Sequence, residues 1–199
     1  IQMAVYNIKR KIQDPSVERS INNIENKILE SEQIINNLLF YSNIRPPNYK
    51  NINFYKILNE CVSDLKKEPG KNIPIKKEFE SVKDTFIEAD PFQIKEVFIN
   101  LLNNAYDSVF QPDGLIEIKT FDDNNKSLKV CIKDNGTGIS KENLGKVFDP
   151  FFSTKSKGTG LGLSVCRQII DLHAGSINIE SEQGKGTEVS VTLPKRKSC

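Results

Sequence analysis

The sequence predicts an α/β sandwich, with a mixed sheet and helices on one sheet face, preceded by an all-α antiparallel helical hairpin. Three observations lead to this fold class. Apolar residues recur at alternating spacings of three and four over residues 1–12 and 17–38, with Ser31 and Ser42 on the same seam, which is typical of helices. Pro46 and Pro47 then interrupt the helical pattern. Strand and helix patterns follow without the regular alternation of a doubly wound fold.

The N-terminal hairpin is predicted from one apolar stripe on two consecutive helices. Asp14 can cap the second helix, with Pro15 in its first turn. Two helices with one apolar seam bury little surface, so we expect a four-helix bundle formed by a homodimer. The alternative is a hairpin that packs on its own C-terminal domain. The stripe consists of Ile1, Val5, Ile8, Ile12, Val17, Ile21, Ile24, Ile28, Ile35 and Leu38.

Three regions follow from these patterns. Residues 1–45 form the hairpin, residues 46–53 a linker and residues 54–199 the α/β domain. Within that domain, Asp90-Pro91-Phe92-Gln93 predicts a capping box with proline at the first helical position. We predict further helices at 54–67 and 160–172, and strands at 73–79, 85–89, 115–121, 128–133, 176–180 and 188–193.

Composition excludes several functional classes. The 199 residues include 28 Lys and Arg against 26 Asp and Glu, a formal net charge of +2 at pH 7. This balance gives no reason to expect a nucleic-acid partner or a membrane contact. Four cysteines without C-x-x-C spacing, together with one histidine, argue against a zinc site. Reduced thiols fit a cytoplasmic location, and Ile1 resembles the middle of a helix, so we expect an internal fragment.

Asn100 and Asn104 lie four residues apart in the segment Asn-Leu-Leu-Asn-Asn-Ala. Residues at this spacing share one side of a helix, and Mg²⁺ accepts oxygen ligands such as amide oxygens. The alternative is a polar stripe on an amphipathic helix, because asparagine is common throughout this chain. The two amides in this particular segment favour a metal site.

Asp134 ends a predicted strand and precedes Asn-Gly-Thr-Gly at residues 135–138. A carboxylate here can accept a hydrogen bond from the exocyclic amine of adenine, while the glycines let the backbone approach the ring. The alternative is an ordinary Asp-Asn-Gly turn, which is frequent in proteins.

The segment Gly-Thr-Gly-Leu-Gly-Leu at residues 158–163 precedes a predicted helix. Glycines at a helix start expose backbone N–H groups to anionic phosphate. No strand directly precedes this segment, which disfavours a dinucleotide-binding unit. Lys155 and Lys157 lie just before it and can meet phosphates or solvent.

The chain between Ile139 and Gly158 is predicted to be a lid, because loops of this length are usually functional. Its phenylalanines would anchor it to the body of the domain or to the hairpin. His173, the only histidine, precedes Ala-Gly at a helix end, where it can meet free carbonyl groups and the glycine can cap. We therefore expect His173 to have a structural role.

In this order the segments resemble those of sensor histidine kinases of two-component systems, whose ATP-binding domain has the Bergerat-type fold. The matching segments are residues 100–105, 134–138, 148–155 and 158–163, and residues 184–187 resemble the last glycine motif. Phe-Asp-Pro-Phe-Phe-Ser-Thr-Lys at 148–155 is quite specific for relatives of nitrogen-regulation and dicarboxylate sensors. Residues 34–42 resemble the end of the dimerisation and phosphotransfer hairpin.

The resemblance implies ATP-dependent transfer of the γ-phosphoryl group to a histidine, and then to an aspartate in a response-regulator receiver domain. Mg²⁺ would be held by Asn100 and Asn104, and Asp134 would read adenine. The protein would be cytoplasmic, or the cytoplasmic part of a membrane-bound sensor. The full set of ATP-binding residues implied is Asn100, Asn104, Asp107, Asp134, Gly136, Gly138, Ile139, Lys155, Gly158, Thr159, Gly160, Leu161, Gly162, Leu163 and Thr187.

The chain departs from the family pattern in two places. It contains no histidine followed by an acidic residue and Asn-Pro, so we expect it to bind nucleotide without phosphorylating itself. Asp107 stands where many relatives carry a lysine near the phosphates, which puts a cationic contact there in doubt.

Asn100 separates branches of the wider superfamily. ATP-hydrolysing members carry a glutamate at this position as a base for water, and an amide cannot take that proton. We therefore expect poor ATP hydrolysis. Two alternatives remain, a superfamily ATPase that acts as a conformational clamp and a non-catalytic nucleotide-binding regulator.

Overall fold

The computed structural model describes residue 3 and residues 15–42, 45–65, 71–79, 82, 85–110, 112–123, 126–155 and 158–195. The chain divides into two compact units, one of Ile1–Asn43 with Ser153–Thr159, the other of Ile44–Phe152 with Gly160–Cys199. Apart from Met3, the first helix of the predicted hairpin lies outside the described residues. Within the described ranges, no helix has the length and apolar character needed to cross a membrane.

The first unit contains a long helix, α1, from Pro15 to Ser42. It begins at the proline that the sequence places in the first turn. Along α1 the apolar stripe is unevenly covered, because Ile21 is buried while Ile24, Ile35 and Leu38 are exposed. The predicted helical character of this region is therefore confirmed, whereas its pairing into a hairpin stays a prediction.

The second unit combines two sheets with four helices among its described residues. The larger sheet has the strand order β2-β4-β5-β7-β6, and only β2 and β4 run parallel, so the sheet is mixed as predicted. The smaller sheet pairs β1 with β3. The elements are β1 Lys50–Asn53, α2 Phe54–Ser63, β2 Ile75–Glu78, β3 Phe86–Ala89, α3 Pro91–Ser108, β4 Ile116–Asp123, β5 Ser127–Asp134, α4 Lys141–Leu144, α5 Gly162–Leu172, β6 Ser176–Glu182 and β7 Gly186–Pro194.

One face of the larger sheet carries the core. In β4, Ile116 and Ile118 are buried, whereas Lys119 forms an ion pair with Glu78 across β2. Side chains alternate between the two faces of a strand, so the charged residues mark the uncovered face. Helix α3 contacts β5 and β7, and α5 contacts α3 and β6. This arrangement confirms an α/β sandwich.

The structure changes the prediction for the linker. Residues 50–53 form strand β1, which pairs with β3 in antiparallel register. Asn53 then caps α2, because its side chain accepts a hydrogen bond from the N–H of Lys56 at 3.0 Å. Helix α2 ends at Ser63, four residues before the predicted end. Part of the predicted linker is thus built into the second unit by backbone pairing that a short polar segment does not reveal.

The start of α3 makes half of the predicted capping box. Asp90 Oδ1 accepts hydrogen bonds from the N–H groups of Phe92 and Gln93 at 2.9 and 3.2 Å. The reciprocal bond is absent, because the side chain of Gln93 donates to the carbonyl of Arg45 at 2.8 Å. The N–H of Asp90 instead donates to Nε2 of His173 at 3.1 Å. A long-range contact has replaced the local one.

His173 is buried and joins three segments of the second unit. Because its Nε2 accepts from Asp90, its Nδ1 carries the hydrogen and donates to the carbonyl of Ile169 at 2.8 Å. The ring of Tyr49 meets His173 edge-on at 5.5 Å, and the Tyr49 hydroxyl donates to the carbonyl of Leu172 at 2.9 Å. These contacts support the structural role expected for this histidine.

The C-terminal end of α5 differs from the expected glycine cap. Ala174, not Gly175, takes the left-handed conformation, with φ of 53°. The N–H of Ala174 donates to Asp171, and that of Gly175 to Ile170, both at 2.9 Å, which is the Schellman pattern. A side chain at Gly175 would press on the carbonyl oxygen of Thr192. The glycine therefore serves close packing, while alanine takes the strained position.

Candidate functional site

The turn after β5 holds Asp134 in a fixed direction. This carboxylate is buried, and its Oδ1 accepts a hydrogen bond from the N–H of Gly136 at 2.8 Å. The neighbouring Asn135 braces the turn on both sides, because its side chain accepts from Leu115 N–H at 2.8 Å and donates to the Asp113 carbonyl at 2.6 Å. Hydrogen bonds therefore fix the turn that carries the carboxylate predicted to bind the adenine amine.

Two glycines of this turn lie directly against other backbone. A side chain at Gly136 would overlap the carbonyl of Ser108 at the end of α3, and the N–H of Thr137 donates to the same carbonyl at 3.1 Å. Gly138 has φ of 64°, and a side chain there would overlap the carbonyl of Glu182 at the end of β6. Glycine is required at both positions because only hydrogen fits.

The hairpin between β6 and β7 supports the same turn. Thr187 lies opposite Asp134 in the antiparallel register of β5 and β7. Ser181 links the elements: its hydroxyl lies 2.9 Å from that of Thr187, donates to the carbonyl of Gly186 at 2.9 Å and accepts from Ile139 N–H at 2.8 Å. Sequence reasoning missed Ser181, since only the strand register places it beside the glycine turn.

A row of polar residues follows one side of α3. Asn100 and Asn104 are partly exposed, and Asp107 is exposed one turn further on. The side-chain amide nitrogen of Asn100 donates to Oε1 of Glu96 at 3.1 Å. A methyl group placed on Gly162 would lie 3.6 Å from Asn100 Oδ1. The fold therefore brings the amide predicted to bind metal to the start of the helix predicted to face phosphate.

Helix α5 begins at Gly162, two residues later than predicted. Gly160 has φ of 69°, and a side chain there would overlap the backbone of Phe151. Leu161 is buried, and its carbonyl accepts from the Ser164 hydroxyl at 2.9 Å. Leu163 is partly exposed in the first turn, where N–H groups have no intrahelical acceptor.

The predicted lid is anchored at one aromatic residue of the second unit. The ring of Phe148 lies 5.2 Å from the guanidinium carbon of Arg167 on α5, within cation–π range. Phe151 is exposed and has φ of 66°, which is strained for a bulky residue. The short helix α4, absent from the sequence-based prediction, lies at the start of this region.

Three predicted phosphate-side residues belong to the first unit, which contains residues 153–159. Lys155 and Gly158 are exposed, and Thr159 is partly exposed. The segment is a tight turn: the N–H of Gly158 donates to the carbonyl of Lys155 at 3.1 Å, and Lys155 N–H donates to the Ser153 hydroxyl, also at 3.1 Å. Their contact with nucleotide stays a prediction.

The family model described as histidine kinase-, DNA gyrase B- and HSP90-like ATPase matches residues 89–197, which cover the glycine turns, α3 and α5. The chain belongs to this family. Sporulation kinase C of Bacillus subtilis (strain 168) is 32% identical over 185 residues, 92% of this chain and 43% of that protein.

Solved structures agree with this assignment. The catalytic domain of histidine kinase ThkA is 35% identical with a TM-score of 0.65, and the match covers 74% of this chain and 96% of that one. ThkA in complex with the response regulator protein TrrA is 30% identical with a TM-score of 0.73, covering 98% of this chain and 56% of that one. The chain is thus an ATP-binding catalytic domain of the sensor histidine kinase class.

The chain spans less than half the length of the curated relatives it matches first, with 15%, 43% and 24% of sporulation kinases E, C and A covered. The family assignment confirms the resemblance drawn from the four segments. It also implies ATP as the nucleotide. The binding roles of the individual residues stay predictions.

Proposed function

We propose that this domain binds Mg²⁺·ATP and donates the γ-phosphoryl group to a histidine on a helical hairpin. A response-regulator aspartate would then receive the phosphoryl group. The observation that carries the proposal is the approach of Asn100 Oδ1 to Gly162. This approach puts an oxygen that can bind a cation beside a helix start whose N–H groups can bind phosphate. Neither feature alone would indicate a Mg²⁺·ATP site.

The residues present fit an ATP–magnesium complex. Asn100 and Asn104 offer amide oxygens, the hard ligands that Mg²⁺ prefers. Asp134, held by Gly136, would accept from the adenine amine, with Thr187, Ile139 and Gly138 beside it. Bound Mg²⁺ would neutralise charge on the transferred phosphoryl group. Asp107, Lys155, Gly158, Thr159, Gly160, Leu161 and Leu163 complete the proposed ATP-binding set.

The adenine assignment is tested by Asp134→Asn. Because an amide oxygen can still accept from Gly136 N–H, the turn should survive. The amide nitrogen can also donate to guanine, so the ratio of ATP to GTP affinity should fall at least about tenfold, as expected for losing one charged hydrogen bond. Asp64→Asn, which alters an exposed carboxylate paired with Lys95, serves as the control. An unchanged ratio in Asp134→Asn would contradict the assignment.

The distinction between kinase and ATPase is tested by phosphate release. Asn100 cannot act as a base for water, so the purified chain with ATP and Mg²⁺ should release phosphate slowly. Incubation with labelled ATP should leave no acid-labile, base-stable phosphate on the chain, since its single histidine is buried at the end of α5. Adding a dimeric hairpin that carries an acceptor histidine should produce such a label on the hairpin. Rapid phosphate release would favour the ATPase alternative. Nucleotide binding with neither phosphate release nor transfer to the hairpin would favour the regulator alternative.

A homodimer through the N-terminal region is supported by the exposed part of the α1 stripe. Ile24, Ile35 and Leu38 are all exposed on this helix. Ile24 and Leu38 are two heptads apart, which is the repeat of a helical seam. Sedimentation should give a dimer for the chain and a monomer for Leu38→Glu. A monomeric parent chain would contradict this arrangement.

The receiver domain of a response regulator is the proposed protein partner, because similarity to ThkA extends over 98% of this chain in the structure with TrrA. A cytoplasmic location suits both ATP and such a partner. Transfer of label from the phosphorylated hairpin to a receiver domain, and its loss when the acceptor aspartate is replaced, would test the relay.

A further inference from the structure

Glu96 lies one turn before Asn100 on α3 and is the residue that holds its amide. The amide nitrogen of Asn100 donates to Glu96 Oε1 at 3.1 Å, and both side chains are partly buried. Glu96 also lies near α5. Burial raises the pKa of the Cys166 thiol on that helix, and the charge of Glu96 adds to the effect.

The direction of the Asn100 amide matters because its two ends differ in chemistry. The nitrogen donates hydrogen bonds, and only the oxygen can bind a cation. A carboxylate accepts hydrogen bonds, so Glu96 selects the nitrogen end. The amide oxygen therefore lies on the side of Gly162, and a methyl group placed on Gly162 would be 3.6 Å from it. Without Glu96, the amide could turn through 180° and present its nitrogen to a cation.

We propose that Glu96 is a positioning residue that orients the Asn100 amide so that its oxygen faces the metal and phosphates. This inference rests on the proposed function, in which Asn100 binds Mg²⁺. The role requires an acceptor at residue 96 rather than a negative charge. Glu96 lies outside the segment at residues 100–105 that resembles the family, and the proposal gives it a positioning role in the nucleotide site.

The test measures the affinity of the chain for a non-hydrolysable ATP analogue by calorimetry, with and without Mg²⁺. Glu96→Ala should weaken the Mg²⁺-dependent affinity about three- to tenfold, the range for one hydrogen bond, and leave Mg²⁺-free binding unchanged. Glu96→Gln keeps an acceptor oxygen and should stay within about twofold of the parent chain. In Asn100→Ala, further replacement of Glu96 by Ala should have no added effect, because coupled residues are not additive.

Glu180→Ala is the matched control. It also removes a side-chain hydrogen bond from an asparagine, since Asn178 Nδ2 donates to Glu180 Oε1 at 3.3 Å on β6. It should not change the affinity for the analogue. Circular dichroism checks that each variant is folded, and alanine at residue 96 is favourable within a helix.

Two failures can be told apart. If Asn100→Ala weakens Mg²⁺-dependent binding but Glu96→Ala does not, the positioning role is wrong and the proposed function stands. If Asn100→Ala itself has no effect, the proposed metal site is wrong. Equal losses in Glu96→Gln and Glu96→Ala would show that charge, not the hydrogen bond, is what counts, and would also overturn the inference.

Discussion

Replacing Gly162 by alanine should separate the stability of this domain from its binding of nucleotide. Gly162 begins α5 with helical, not left-handed, backbone. Alanine at a compatible position stabilises by about 0.4–1 kcal/mol, mainly because the unfolded chain loses freedom. For a chain of this size, that corresponds to a rise in melting temperature of about 1–4 °C. Thermal unfolding without nucleotide measures it.

The same methyl group should weaken the binding of Mg²⁺·ATP. It would lie 3.6 Å from Oδ1 and 3.9 Å from Cγ of Asn100, an ordinary contact that leaves the apo protein unstrained. Magnesium binds oxygen at about 2.0–2.1 Å, so its other ligands would compete with the methyl for the space beside Oδ1. We expect affinity to fall at least about tenfold, or ~1.4 kcal/mol.

Gly145→Ala provides the matched comparison. Gly145 has φ of −69°, and a side chain there would meet no atom within 4 Å. This variant should gain similar stability and keep the parent affinity. Calorimetry with an ATP analogue and Mg²⁺ compares the three proteins. Parent-like binding by Gly162→Ala would refute the proposal that Asn100 and Gly162 border the phosphate site.

Three further predictions concern stability. Gly138→Ala should destabilise the domain by at least ~1–2 kcal/mol in urea unfolding, because an L residue pays this cost in the left-handed region before any overlap with Glu182; an unchanged midpoint would contradict it. Ala174→Gly, at φ of 53°, should stabilise by about 1 kcal/mol, and a lower melting temperature would count against the observed cap. Burial raises the pKa of Cys61 from its ordinary 9.0 to about 12. The buried, neutral Cys61 thiol contributes fully to stability below pH 9, and this contribution is lost as pH rises toward 12. The free energy of unfolding falls by up to ~1.4 kcal/mol per pH unit in this range, because only the thiol of the unfolded chain then ionises. Urea unfolding at pH 8 and 10 checks this, and Cys61→Ala should show a shallower decline.

The contacts around Asp90 explain one failure of the sequence-based prediction. Asp90-Pro91-Phe92-Gln93 carries the residues of a capping box, and the aspartate caps α3 as predicted. The side chain of Gln93 was expected to accept from the N–H of Asp90. That N–H donates instead to His173, which lies 83 residues after Asp90 in the chain. A local pattern predicts which groups need partners but not which distant group supplies them.

The sequence by itself determined most secondary elements of the second unit, and it supplied the segments proposed to form the nucleotide site. Periodicity, prolines and glycines are local signals, and they identified α3, α5 and six of the strands to within a few residues. They did not reveal β1, whose four residues form a strand only because β3 lies beside them. The spacing of Asn100 and Asn104 likewise showed that both face one side of a helix, without showing what lies opposite.

Only the tertiary structure decided which groups meet. Packing of α3 against α5 places Asn100 beside Gly162, and the register of β5 with β7 places Thr187 opposite Asp134. Gly138 fits against Glu182 because of the same long-range pairing. These contacts depend on relative positions of elements, which no local residue pattern encodes. The chemistry proposed for the site therefore comes from the sequence, whereas the geometry of its residues follows from the fold.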